Sequence, residues 1–185
     1  MAHVKKITST LSLAATVLLE ACSSASTESG PAAVPNTTAP QLIATWQTSC
    51  IITQNSGTTT TTQASGGGGG SVSGGAAYRT SAIFNQDGRV ELFNEIYATS
   101  NCNPNTLSSL NRYNAVYYIG GSGLANDGSQ VTEVNFNDGS STTYSIFQVI
   151  NSTDLYMGDA TTSTPGNDGS SETTRYDGLG PRMLK

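Results

Sequence analysis

The chain has 185 residues, 11% of them charged, and a formal net charge of −5. That length bounds it to one domain with tails, and its polarity comes from Gly, Ser, Thr and Asn, which favour turns, strands and loops over helices. No basic stripe exists to neutralise phosphates, which argues against a nucleic-acid partner.

The chain starts with "MAHVKK", a short basic stretch carrying Lys5 and Lys6, followed by the apolar run "ITSTLSLAATVLL". That run is too short to span a bilayer as a stable helix. It closes on "LLEAC", Leu18 to Cys22. These residues resemble the bacterial lipoprotein signal, in which cleavage precedes a cysteine that receives the lipid. Leu19 matches the position three before that cysteine and Ala21 the position immediately before it. Glu20 stands where a small or apolar residue is usual. The resemblance implies a signal peptide over 1–21 and a Cys22 carrying palmitate-type acyl chains as the membrane anchor. Ser23, in place of the Asp of proteins retained at the inner membrane, implies an outer-membrane address facing the periplasm where the cell has two membranes. An ordinary signal peptide with a chance cysteine is the alternative.

Removing 1–21 takes away Lys5, Lys6 and Glu20 and leaves six basic and twelve acidic residues. It also removes His3, the single histidine. A chain without histidine runs neither a Ser-His-Asp nor a Cys-His mechanism and offers no imidazole to a metal. The expectation is therefore a non-enzyme with no cofactor and no metal. With Cys22 acylated, Cys50 and Cys102 remain. In an oxidising compartment two such thiols pair, and no basic cluster near either one points to a reactive thiol.

Residues 23–40, "SSASTESGPAAVPNTTAP", hold three prolines and almost no large apolar group. With Cys22 they read as a flexible tether over 22–40, and several acyl chains on one cysteine anchor durably. The domain is expected over 41–185. From Leu42 onward short alternating runs are broken by turn signals, the pattern of an all-β meander. Eight strands are predicted, near 42–53, 77–85, 89–98, 113–120, 130–137, 141–150, 154–159 and 172–178. Asp87-Gly88 and Asp138-Gly139 separate adjacent runs by short gaps, and Asp-Gly tolerates the positive φ of tight hairpins. Asn126-Asp127-Gly128, Asn167-Asp168-Gly169 and Asp177-Gly178 mark further turns. Each offers one carboxylate rather than the closely spaced set of a calcium loop.

Alternation assigns faces. In the first strand Trp46 and Cys50 share the inward side. In the third, Val90, Leu92, Asn94 and Ile96 oppose Arg89, Glu91, Phe93, Glu95 and Tyr97. Glu91 and Glu95 lie about 13 Å apart along one strand, outside the spacing of glycosidase carboxylate pairs. Near 141–150, Tyr144, Ile146 and Ile150 oppose Phe147 and Val149, so both faces carry apolar groups. That suits a strand covered from outside, or one that meets a partner. Between the first two strands "SGTTTTTQASGGGGGSVSGG" is a long polar loop, a lid or a disordered span. It carries no phosphate-binding motif.

Eight hairpin-linked strands suggest an antiparallel up-and-down barrel, closed or incompletely closed, because closure removes edges. "IATW" resembles the lipocalin G-x-W motif, with Ala44 in the glycine's place, and "TTYSIFQVINSTDLYMGD" is similar to the last strands of small bacterial lipocalin-like (calycin-type) lipoproteins. The resemblance implies a barrel plugged by Trp46, an arginine packed over that tryptophan (Arg175 or Arg182), and a small hydrophobic ligand inside. Leu92, Asn94 and Tyr144 are the candidate ligand contacts, and packed core is the alternative for each. The function expected is binding or carriage of a small hydrophobic molecule by a lipid-anchored envelope protein. The alternative is a structural or interaction protein presenting loops, with Tyr117-Tyr118 available to either. Cys50 and Cys102 fall at one rim, but two strand spacings, about 10 Å, exceed the roughly 7 Å Cα limit of a disulfide. The bridge therefore requires "TSNCNPNTLSSLNR" to fold across the mouth.

Overall fold

The computed structural model describes residues 31–53 and 77–185. The expected signal peptide, Cys22, the start of the tether and the Thr/Gly loop lie outside them. The strands are β1 (Thr45–Thr48), β2 (Ile51–Ile52), β3 (Ala77–Phe84), β4 (Arg89–Tyr97), β5 (Leu107–Leu124), β6 (Gln130–Asn137), β7 (Thr142–Ile150), β8 (Asp154–Met157) and β9 (Met183–Leu184). All neighbours are antiparallel, and β1 pairs with both β3 and β9, closing an eight-membered ring. The short β2 continues the line of β1 along β3, with Ile51 opposite Tyr78. The protein is an eight-stranded, closed, up-and-down β-barrel with one extra strand.

The Asp-Gly signals place the hairpins as expected. Gly88, Gly128 and Gly139 take φ of 87°, 85° and 92° in the turns after β3, β5 and β6. At Gly88 a Cβ would also overlap the Val34 carbonyl.

Two elements differ from the sequence reading. The eighth strand is not at 172–178: Glu172–Thr174 is a 3-10 turn held by a Ser171 capping box, and the ring is shut by Met183–Leu184. The stretch 172–178 has alternation without apolar residues to bury, whereas Met183 enters the core. The strand expected at 113–120 runs from Leu107 to Leu124. Its first half pairs only with β4 and its second half with β6. Its opening residues are exposed on both faces, so no inside-outside pattern marks them.

The end of the barrel where β1 begins is closed. Trp46 is 0% exposed, and its Nε1 donates to the Leu42 carbonyl at 2.8 Å. Around it pack Phe84, Tyr117, Phe136, Phe147, Met157 and Met183. Phe84 and Tyr117 meet edge to face at 5.2 Å, the geometry aromatic quadrupoles prefer. Part of the segment expected to be tether belongs to this closure. Asn36 and Ala39 are buried, and the Asn36 amide N–H donates to the Gln86 carbonyl at 2.8 Å.

The opposite end carries the disulfide. Cys50 and Cys102 are bonded with Cα atoms 5.7 Å apart. The loop after β4 folds across the mouth, as the bridge requires, and seats Cys102 on Ala77 and Tyr97. Asparagine side chains hold that loop: Asn101 Oδ1 accepts from Thr99 Oγ1 at 2.7 Å and Asn103 Oδ1 from the Asn105 amide at 3.0 Å. They support a backbone that places Cys102 at φ 48°. The bond closes a separation of 52 residues, which in the chain-entropy account is worth about 4 kcal/mol. Urea unfolding of the Cys50→Ala/Cys102→Ala variant should therefore show a stability loss of about 4 kcal/mol. An unchanged midpoint would contradict this assignment.

Candidate functional site

Directly opposed residues in antiparallel strands share a face, so the pairing register sorts the interior into layers. Trp46, Ala82, Leu92 and Tyr113 form one layer, and above it lie Phe84, Val90 and Ala115. Toward the disulfide end the next residues inward are Thr80, Asn94 and Asn111, with Thr48 donated to by the Thr80 amide at 3.0 Å. On the far wall Thr143 and Ser145 face inward, opposite Phe136 and Val134. The barrel is thus apolar in one half and polar in the other, with Tyr78 and Ile96 paired beyond the polar layer.

Two buried atoms, one in this polar layer and one next to it, lack what buried polar groups normally have. Asn94 is 1% exposed, and its Oδ1 has no hydrogen-bond partner among the described residues. The Tyr113 hydroxyl, on the neighbouring strand, is also buried without a hydrogen bond of good geometry, with Asp138 and Thr143 as its polar neighbours. Burial, assisted by the nearby Asp138 carboxylate, pushes the Tyr113 phenol up to about 12. It therefore stays protonated and able to donate at any ordinary pH. An amide acceptor and a phenol donor thus lie buried on adjacent strands, near inward-facing hydroxyls.

The residues expected to contact a ligand divide three ways. Asn94 lies at the polar layer. Leu92 faces inward but is packed in the apolar core. Tyr144, expected inside, lies on the outer face: its partner Asn135 points outward, and the Arg175 guanidinium sits over its ring at 5.5 Å. The parity of β7 follows Thr143, Ser145 and Phe147 inward, which leaves Tyr144 and Ile146 outside. Tyr113 was not singled out from the sequence, although it shares its parity with Ala115 and Tyr117. Glu91 and Glu95 are on the outer wall, where Glu95 accepts from the Tyr97 hydroxyl at 2.9 Å.

Neither arginine packs over the tryptophan. The Lys185 ammonium lies 5.8 Å from the Trp46 ring. Arg182 reaches Asp154 at 3.6 Å. Arg175 clamps the outer sheet, donating to Asn135 Oδ1 and the Ser145 carbonyl at 2.8 Å each and pairing with Glu133 at 3.4 Å.

Arg175 belongs to the long connection between β8 and β9, which covers the second apolar face of β7. Leu179 packs there against Ala125, Val131 and Ile146. The connection also extends the sheet, since the Tyr144 amide donates to Gly169 O and the Tyr176 amide to Tyr144 O. Short side-chain bonds fold it. Asp177 accepts from the Thr164 amide at 2.7 Å and its hydroxyl at 2.6 Å, and Asp168 accepts from the Ser170 hydroxyl at 2.6 Å. Among the described residues no group of three His, Cys, Asp or Glu side chains is placed to hold a metal ion. No protein-family model, curated protein or solved structure matches the chain.

These bonds set an acid limit. The Ser170 donors lower the Asp168 carboxyl. Partial burial pushes Asp177 up, but the Thr164 donors outweigh it and the group ends lowered. In the β6–β7 turn, Ser141 and Ser140 donors hold Asp138 at about 2. Each folded value lies below the unfolded one, so the stabilisation is complete above about pH 4 and is lost as pH falls through the folded values. Amide shifts of Ser141, Thr164 and Ser170 should move below about pH 4, with Ser141 moving last, while Trp46 fluorescence holds. Transitions centred at or above the ordinary carboxylate value would contradict this.

Proposed function

We propose that the chain is a lipid-anchored envelope protein whose lipocalin-like barrel binds a small neutral ligand at its disulfide end. The observation that carries this reading is the pair of buried polar atoms on adjacent strands, Asn94 Oδ1 and the Tyr113 hydroxyl, neither of which makes a well-formed hydrogen bond. Leaving a buried polar group unsatisfied costs about 1–3 kcal/mol, and apolar residues would have filled the space without that penalty. A ligand presenting a donor to Asn94 and an acceptor to Tyr113, such as an amide or an alcohol, supplies both missing bonds. Asp138 and Asp159 near this end disfavour an anion. The filled apolar half confines the ligand to the region of Tyr78 and Ile96, so it is small, with an apolar body and one polar head.

The anchor rests on the "LLEAC" resemblance and is tested separately. The exported protein should partition into the detergent phase and carry acyl mass on Cys22. Cys22→Ser should move it to the aqueous phase, and a native protein without acyl mass would refute the anchor.

For the site, native mass spectrometry of protein from its host should detect a small adduct that is lost in Asn94→Leu/Tyr113→Phe. That variant should melt no lower than the native chain stripped of ligand, because it removes unsatisfied groups rather than contacts. A bare native mass, or an adduct kept by the variant, would overturn the ligand reading.

One observation favours an interaction protein as the second reading. Leu107–Ala115 of β5 pair with β4 alone, and Leu107 and Leu110 are exposed there. Unpaired edges with apolar side chains recruit strands from other chains, and a bare native mass would favour this reading.

A further inference from the structure

At the Trp46 end, on the side away from the disulfide, a cleft of about 530 Å³ opens between β5, β6 and β7. Gln41, Ser122, Gln130, Thr132 and Gln148 line it, over Phe147 and Val149. We propose that this cleft is a binding site for a neutral saccharide, distinct from the interior site and independent of it.

The cleft owes its shape to "IGGSG", Ile119 to Gly123. The β5–β6 register breaks between Ile119 and Ser122, and bulges of this kind gather at barrel rims beside functional sites. Packing explains Gly120, where a Cβ would come within 2.8 Å of the Glu133 side chain. It does not explain the other two. Neither takes a left-handed φ. A Cβ on Gly121 would meet nothing within 4 Å, and one on Gly123 only Val131 Cγ2 at 3.9 Å. Glycine inside a strand weakens it; Gly121 falls in the bulge, whereas Gly123, outside it, leaves the backbone open to close approach.

The polar groups around the cleft are amides and hydroxyls, and no charged side chain lines it. Gln148 Nε2 donates to the Gln130 carbonyl at 3.0 Å, which fixes one amide. The side chains of Gln41, Ser122, Gln130 and Thr132 make no hydrogen bond among the described residues. Amides and hydroxyls both donate and accept, which matches a ligand whose every hydroxyl does the same. Val149 and the exposed Leu124 offer apolar surface to the C–H face of a sugar ring. An anion or a cation would find no counter-charge, and a wholly apolar ligand would strand four polar side chains. The volume lies within the range of small-molecule sites, about 300–1,000 Å³.

The test is saturation-transfer NMR on the full-length protein with three probes: maltose, N,N′-diacetylchitobiose and the anionic disaccharide cellobiouronic acid. At least one neutral disaccharide should show transfer and the anionic one should not. Ser122→Leu, opposite Thr132 and on its face, fills the cleft and should weaken that binding at least tenfold with an unchanged melting temperature. Gln41→Ala, at the exposed rim, should weaken it severalfold and serves if Ser122→Leu fails to fold. Asn94→Leu/Tyr113→Phe should leave it untouched, so the two sites fail or succeed separately. No transfer from either neutral sugar at millimolar concentration would overturn the proposal. Transfer that survives a folded Ser122→Leu, or Gln41→Ala, would also overturn it.

Discussion

The structure depends on one seam. Thr48 pairs with Met183 and Gln47 with Leu184, while the other edge of β1 pairs with β3. This double pairing turns a curled meander into a ring, and a ring has only one inside. Every residue from Thr45 to Leu184 that lies on a ring strand is thereby assigned to the interior or the exterior, and a one-residue slip would exchange the two sets. A two-residue strand supplies few hydrogen bonds. The seam is held instead by what lies on either side of it, with Met183 buried in the core beneath it and Lys185 over the Trp46 ring.

Inside the ring, apolar side chains are concentrated at one end. Large ones crowd the half that begins at Trp46, and hydroxyl and amide side chains occupy the half that ends at the disulfide. The first half provides most of the burial that holds the barrel together. The second is relieved of that task, because the covalent bridge holds β2, β3 and the loop after β4 where packing is thinner. An unsatisfied Asn94 is tolerable in such a place. The arrangement follows a general division in which locally unfavourable groups are kept on a scaffold whose stability is secured elsewhere.

Much of this was legible in the sequence because it rests on short-range rules. Asp-Gly pairs placed the hairpins, alternation placed Trp46 inward and Val90, Leu92 and Asn94 on one face, and the two cysteines left after Cys22 foretold the bridge and the folded-over loop. The failures share a cause. Residues 172–178 alternate like a strand, but their polar side chains find partners in one another and in the backbone, so they form a turn lattice. Tyr144 could not be told from an inward residue because β7 has apolar groups on both faces, and only the docking of Leu179 and Arg175 decides which is outside. Leu107–Arg112 show no pattern because neither face is covered. The site was half visible: Asn94 declared itself by parity, whereas the state of its Oδ1 depends on β5, β6 and β7 together.

The position of β9 in the chain has a temporal consequence. Strands β3 to β8 follow one another as hairpins, so each finds its neighbour as soon as both exist. The long-range partner of β1 comes after all of them, and a contact of that separation is slow to form. Until Met183 and Leu184 have been made, the sheet stays unrolled with β1 and β8 as its borders. The cysteines need only β2 to β4 and the loop that follows, so their oxidation can come first. Maturation then has a built-in sequence, in which a covalently pinned open sheet forms early and rolls shut only when the end of the barrel arrives.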